Sequence, residues 1–336
     1  MAVPDGFDLK QVHVVSQWKY DRPLCACRFD PLGRYIFCGA QDNTVQRFAL
    51  ADGKLTVLKD GHKTWVRSVA FSHDGRFALT GGSEGAVTWW ETAAEEPKPV
   101  RTIEAHKGWI RKMEVSPDGK MLASAGNDGF IRLWSVSDGS LIRELKVTEK
   151  DVYSVTFHPD GETLLSGTLM GELFRWNLAT GEKVKEYDAK ALHSFNGGQR
   201  VHFGGIRGLA VSPDGKWVAG GGLHKATNPL GAVHEPLVLL FDVETGELVK
   251  TQLHEPIKKG VIWRLVWVAD GSLMAVCGGG DGGYLLFYRP DADKAHHAFK
   301  LPNHARDMDL HADGLQVCSA HYDNHIRISR LAAKQA

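Results

Sequence analysis

Ser116-Pro117-Asp118-Gly119-Lys120-Met121-Leu122-Ala123-Ser124-Ala125-Gly126-Asn127-Asp128-Gly129-Phe130-Ile131-Arg132-Leu133-Trp134 reads as turn, strand, turn, strand. Pro-Asp-Gly and Asn-Asp-Gly are turn chemistry, and each is followed by a short apolar run of strand length. The same turn recurs to either side. It stands at Asp30-Pro31-Leu32-Gly33, Ser72-His73-Asp74-Gly75, His158-Pro159-Asp160-Gly161, Ser212-Pro213-Asp214-Gly215, Val268-Ala269-Asp270-Gly271 and His311-Ala312-Asp313-Gly314. The closing glycines advance by 42, 44, 42, 54, 56 and 43 residues. Each period is filled with strands and hairpin turns, so it suits a four-stranded unit and not the helix pair of a solenoid.

Further markers keep the same order in successive units. An aromatic slot closes one strand at Phe48, Trp90, Trp134, Trp176, Phe241 and Tyr288, and only the seventh unit departs, with Ser329. Hairpin signals follow at Asp138-Gly139, Thr180-Gly181-Glu182 and Thr245-Gly246-Glu247, each leading into one more alternating strand. These residues resemble the WD-repeat β-propeller family, from about Lys10 to Leu331. The resemblance implies an all-β, seven-bladed β-propeller of four-stranded antiparallel blades. His106, Ser124, Asp128 and Trp134 match the family's bracing tetrad; the second unit keeps His62, Thr80 and Trp90 with Glu84 for the aspartate. The first unit offers Cys38, Asp42 and Phe48, and the fourth Ser166 and Trp176 with Met170 at the turn.

Residues 1–336 are expected to form a single propeller domain, with blades starting near residues 23, 65, 109, 151, 205, 261 and 304. The last unit has only three strands, whereas Gln11-Val12-His13-Val14-Val15 is an orphan strand ahead of the first. An N-terminal strand at 11–15 completing blade seven would cover an edge that otherwise exposes unpaired backbone.

The charge balance narrows the function. Lys and Arg number 40 and Asp and Glu 40, so no long-range field attracts nucleic acid in general. No segment approaches the roughly 20 apolar residues of a membrane span. Met1-Ala2-Val3-Pro4-Asp5-Gly6-Phe7-Asp8 lacks the basic and apolar regions of a secretion signal, and a cytoplasmic, monomeric protein is expected. Five cysteines without metal-ligand spacing read as reduced thiols. Cys25 and Cys27, two apart on a strand, are expected to point to the same side.

Two candidate regions fall on the top face, where the loops between second and third strands and between units gather. Aligning the units by their turns puts Cys25, Arg67, Arg111, Tyr153, Arg207, Trp263 and Arg306 at one equivalent position, with Trp65 and Trp109 just before two of the arginines. Guanidinium forks beside aromatic rings are the composition of binding hot spots and suit carboxylate or phosphate. The other region is a pair of long loops, about Ala189 to Gly205 and Gly222 to Pro236. They carry Arg200, Lys225 and four histidines, His193, His202, His224 and His234, which are weak candidates for metal because their spacing fits no ligand signature.

Two functions compete on this pattern. As the resemblance implies, the first is a non-catalytic scaffold, needing no cofactor, that binds a protein or peptide, acidic or phosphorylated, on the top face. The second is a small-molecule or metal-dependent propeller enzyme with its site at the top of the central channel. That would need acids, amides and histidines converging from several blades, where this chain offers mainly arginine and aromatic rings.

Overall fold

A computed structural model describes residues 2–149, 151–226 and 234–334. After a 3-10 turn at Leu9–Gln11, strand β1 (His13–Lys19) leads into blade one, β2 (Leu24–Phe29), β3 (Tyr35–Ala40), β4 (Val45–Ala49) and β5 (Leu55–Leu58). Blade two is β6 (Val66–Phe71), β7 (Phe77–Gly82), β8 (Ala86–Glu91) and β9 (Pro99–Glu104). Blade three is β10 (Ile110–Val115), β11 (Met121–Gly126), β12 (Phe130–Ser135) and β13 (Leu141–Lys146). Blade four is β14 (Val152–Phe157), β15 (Thr163–Thr168), β16 (Glu172–Asn177) and β17 (Lys183–Asp188). A small hairpin follows, β18 (His193–Asn196) and β19 (Val201–Gly204). Blade five is β20 (Gly208–Val211), β21 (Trp217–His224), β22 (Glu235–Asp242) and β23 (Leu248–Leu253). Blade six is β24 (Val261–Trp267), β25 (Leu273–Gly279), β26 (Gly282–Tyr288) and β27 (His297–Leu301). Blade seven is β28 (Ala305–Leu310), β29 (Gln316–His321) and β30 (His325–Arg330), joined by β1.

The fold is therefore a seven-bladed β-propeller of four-stranded antiparallel blades. Among the described residues no helix is long and apolar enough to cross a membrane. Contacts divide the chain into two compact units, one of Leu145–Ala305 and the other of Val3–Glu144 with the residues from Arg306 on.

The recurring turn works as its composition demands. In all seven, the glycine N–H donates to the carbonyl three residues back, and the glycine φ lies between 66° and 80°, where a side chain is strained. The outermost strand of a blade is its most exposed: in blade four, β14 is covered except at Tyr153, whereas β17 exposes Lys183, Val184, Glu186 and Asp188. The strands between are buried on both faces, so they read as continuous apolar runs. In β22, Leu239 and Phe241 pack with Leu165, Leu173 and Tyr187 of blade four, while Val238 and Leu240 pack with Ile262, Leu265 and Leu286 of blade six. Trp89 and Trp90 split in the same way, toward Met113 and Leu122 of blade three and toward Phe37 and Val45 of blade one. The glycine run at 278–283 is a hairpin turn, Gly279 opposite Gly282. A Cβ on Gly278 or Gly283 would sit within 2.1 Å of the backbone oxygens of Ala305 or Asn303, so neighbouring backbone demands glycine there.

The N-terminal strand closes blade seven, pairing His13 with Arg330 through to Lys19 with His325. It runs further than residues 11–15. Gln11 lies in the 3-10 turn, where the Lys10 N–H donates to Asp8, and the strand continues through Gln17, which accepts from Arg327, and Trp18, which stacks on Phe48. Blade seven is tied to blade one by carboxylates: Asp307 accepts the Cys27 N–H and the Arg28 guanidinium, at 3.1 and 2.7 Å, and Asp309 accepts the Phe29 N–H.

The bracing tetrad forms where the residues permit. Trp134 Nε1 donates to Ser124 Oγ (2.9 Å), which bonds His106 Nε2 (2.7 Å), while His106 Nδ1 meets Asp128 Oδ1 (2.9 Å). Blade two repeats it with Trp90, Thr80, His62 and Glu84. Blade one substitutes a tyrosine: the Tyr20 hydroxyl donates to Asp42 at 2.8 Å and lies 2.9 Å from Thr44 Oγ1. Burial alone would raise Asp128, but its hydrogen bond and attraction to His106, the Arg132 guanidinium at 2.8 Å and the Lys107 N–H hold it well below the ordinary carboxylate range.

These contacts have two measurable consequences. Removing residues 1–18 strips the outer edge of β30 and should lower the melting temperature by roughly 10 °C or more, since each lost ladder bond is worth about 1 kcal/mol net; an unchanged melt would contradict the closure. Because Asp128 titrates lower in the folded chain than in the unfolded one, its contribution is complete above the unfolded value, about 3.9, and drains as pH falls through it. Urea midpoints measured between about pH 6 and pH 2 should therefore fall less steeply in Asp128→Asn than in the wild type.

Candidate functional site

The aligned position has a structural signature that alternation in a strand does not show. Among the described residues, the first strand of five blades carries a β-bulge, and the extra residue is Cys25, Arg67, Arg111, Tyr153 or Trp263. A bulge inserts one unpaired residue and re-aims its side chain. The local period of two is broken there. Cys25 is consequently half-buried beside Arg306 and Arg67, whereas Cys27 lies fully in the core, and the expectation that both thiols share one side fails. Burial pushes the Cys25 thiol up in spite of those two guanidiniums. Arg207 stands just ahead of β20, and its N–H donates to the Gly221 oxygen opposite Gly208.

In the unit of Val3–Glu144 and the residues from Arg306 on, the Arg67 guanidinium lies 5.2 Å from the Trp65 ring and 4.1 Å from Trp109. Arg111 also reaches Trp109, at 4.6 Å, so one indole receives two cations. Both arginines are steered from within their own blades: Arg67 Nε donates to Ser83 Oγ and Arg111 Nε to Asn127 Oδ1, each at 2.7 Å. Trp65 is 41% exposed and Trp109 40%, leaving ring surface open to a partner. Arg306 lies over Tyr322 at 4.6 Å.

In the unit of Leu145–Ala305 the same motif is built from different residues. Arg207 sits between Tyr153 and Trp263, 4.6 and 5.2 Å from their centroids, with Nε donating to the Gly204 oxygen. The first long loop is not structureless. His193 Nε2 meets His202 Nδ1 at 2.9 Å across the β18–β19 hairpin, Phe195 packs on His202, and Arg200 is at the tip with φ 54°. The middle of the second loop, residues 227–233, lies outside the described residues; its flanks extend β21 and β22 up to His224 opposite Glu235.

The histidines separate by partner. His193 and His202 come together, while His224 faces Glu235 at 3.2 Å, as does Lys225, and the His234 oxygen accepts the Gly260 N–H. Among the described residues no three His, Cys, Asp or Glu side chains converge in a way that would hold a metal ion. Burial lowers His193, with the His202 ring adding to it; burial and Lys225 lower His224; burial and Arg207 lower His234.

A family profile described as WD domain, G-beta repeat, matches residues 10–47, 53–91, 97–135, 139–170 and 191–225, more than half of the chain. The chain belongs to the WD-repeat family. Its similarity to individual WD-repeat relatives is modest. The periodic tryptophan protein 2 homolog of Schizosaccharomyces pombe is 22% identical over 234 residues, 66% of this chain and 20% of the relative. Eukaryotic translation initiation factor 3 subunit I of Scheffersomyces stipitis is 26% identical over 188 residues, 52% of this chain and 54% of the relative. Nuclear distribution protein nudF of Emericella nidulans is 28% identical over 81 residues, 24% of this chain and 18% of the relative. The matched part thus spans between 18% and 54% of these proteins' length. WD-repeat propellers typically act as non-enzymatic interaction scaffolds.

Sequence reasoning missed the residues that aim the arginines. Ser83, Asn127 and Tyr322 each come directly after the second strand of a blade. Alignment of the second strands by their ends, in the manner of the first strands, exposes them.

The His193 contact has a pH signature. Its folded value is lowered, so the stabilisation is present above the unfolded value of about 6.5 and declines as pH falls through it. Amide exchange in residues 194–203 should speed up below about pH 6 relative to blade four, and His193→Gln should flatten that dependence; a hairpin equally protected at both pH values would contradict it.

Proposed function

We propose that this chain is a non-catalytic scaffold, acting as one cytoplasmic, monomeric propeller, whose top-face arginines and rings bind a protein or peptide segment rich in acidic or phosphorylated groups. The observation that carries this is the repeated pairing of a bulge-borne or strand-leading arginine with an aromatic ring, Arg67 and Arg111 with Trp109 and Arg207 with Tyr153 and Trp263. Stacking engages the face of a guanidinium, whereas its in-plane N–H groups are the ones that recognise carboxylate and phosphate. Ring contact also limits the rotamers each arginine would lose on binding, which favours preorganised recognition. Exposed Trp65 and Trp109 add apolar anchors of the kind that dominate interfaces. A role inside an assembly accords with the name of one relative, a subunit of a translation initiation factor.

The test is a binding titration with a phosphoserine- and glutamate-rich peptide, set against the same peptide with lysine at the charged positions. The acidic peptide should bind, weaken as salt rises from about 0.05 to 0.5 M, and lose on the order of tenfold affinity, ~1.4 kcal/mol, in the double variant Arg111→Ala with Arg207→Ala. Salt-independent binding that survives the double variant would refute the basic rim.

A further inference from the structure

At the other end of the same first strands, the recurring turns of blades five and six enclose a cleft of about 330 Å³. Pro213, Asp214 and Trp217 line it from blade five, and Trp267, Val268 and Pro290 from blade six. We propose that this cleft binds the basic side chain, lysine or arginine, of a partner segment.

The turn itself is generic. Ser116-Pro117-Asp118-Gly119-Lys120 repeats the composition of Ser212-Pro213-Asp214-Gly215-Lys216, and in both the serine hydroxyl donates to the aspartate while the lysine N–H donates to the same oxygen. The next residue sets the two blades apart. Blade three continues with Met121, blade five with Trp217, and blade six contributes a second indole, Trp267, which is only 7% exposed and aims Nε1 at the Ala210 oxygen. Two indoles and two proline rings form apolar walls around one carboxylate.

That combination selects among occupants. An anion would meet Asp214, and a wholly apolar group would desolvate the carboxylate without a partner. A lysine or arginine has an apolar stem for the walls and a charged head for both the carboxylate and an indole face. The chain already shows the second contact, because the Lys216 ammonium rests 4.4 Å from the Trp217 ring centroid. Lys216 does not itself line the cleft, but its charge acts on the Asp214 carboxylate and so opposes an incoming cation. The size of the cleft is at the lower end of ligand sites, about 300–1,000 Å³, and suits one or two side chains.

The experiment titrates the full chain with the N-acetyl methylamides of lysine, arginine and norleucine, following tryptophan fluorescence at low ionic strength. The two basic amides should bind saturably, and the uncharged norleucine amide should bind at least about tenfold more weakly. Asp214→Asn keeps an oxygen for the Ser212 and Lys216 donors, so the turn survives, and it should weaken the basic amides by about tenfold. Lys216→Met should tighten them severalfold by removing the opposing charge. Absence of a saturable response to the basic amides, equal binding of norleucine amide, or indifference to Asp214→Asn would each overturn the proposal. The probes do not address the arginine rim, so failure here leaves the proposed function standing.

Discussion

Strand β30 has two edges, and β1 satisfies the outer one. β29 takes the inner edge through residues 326–330, and β1 takes the other through residues 325–330, so a segment more than 300 residues away in sequence supplies the missing pairing. This contact sets the order of the remaining packing in its unit. With β1 in place, Tyr20 and Leu24 enter one core with Cys318, Ala320, Ile326 and Ile328, and Asp307 and Asp309 come into reach of the Cys27 and Phe29 amides. The buried Arg28–Asp307 pair, 2.7 Å apart, rests on the same alignment. A buried ion pair adds little net stability, but it is costly to break, so it opposes a slipped register of β2 against β28.

The same architecture explains why the candidate site lies at the head of the first strands. In blades one, two and four those strands are nearly fully buried, and their side chains are committed to neighbouring sheets. A residue released from the pairing can be re-aimed, and in the five bulged blades the bulge releases one at a constant position. The position is structural; its occupant is not. Cysteine, arginine, tyrosine or tryptophan can each fill it without disturbing the ladder, which continues on either side of the bulge.

Legibility in the sequence followed the same division. The turns were readable because a glycine with φ near 70° is demanded by geometry that side chains elsewhere cannot alter, and in six of the seven an Asp stands beside it. The tetrad was readable in blades two and three, where its residue types are kept, and obscured in blade one, where Tyr20 stands in for the histidine and Cys38 for the hydroxyl. The full length of β1 was hidden because Ser16, Gln17 and Lys19 look like a polar linker, and only tertiary partners such as Arg327 and Phe48 make them a strand. The β18–β19 hairpin was hidden for a similar reason: residues 193–204 lack a clear apolar alternation, and the His193–His202 contact is visible only after pairing. Bulges escape periodicity altogether, which is why Cys25 and Cys27 were expected on one side.

A repeat fold of this kind separates what holds the chain from what can vary. The turn Ser-Pro-Asp-Gly and its internal bonds recur unchanged in blades three and five, so by themselves they carry no specificity. Difference enters at the residues on which the turn or the bulge makes no demand, Trp217 after one turn and Met121 after the other, Arg67 at one bulge and Tyr153 at another. Each is a substitution that the backbone tolerates, although Trp217 also packs against the core of its blade pair. Aromatic rings and guanidiniums at such tolerant positions cost the chain exposed apolar area and like-charge proximity, with Arg67 and Arg111 both drawn to the Trp109 ring. Each ring contact offsets part of that cost, and the bonds to Ser83 and Asn127 fix how the two guanidiniums lie.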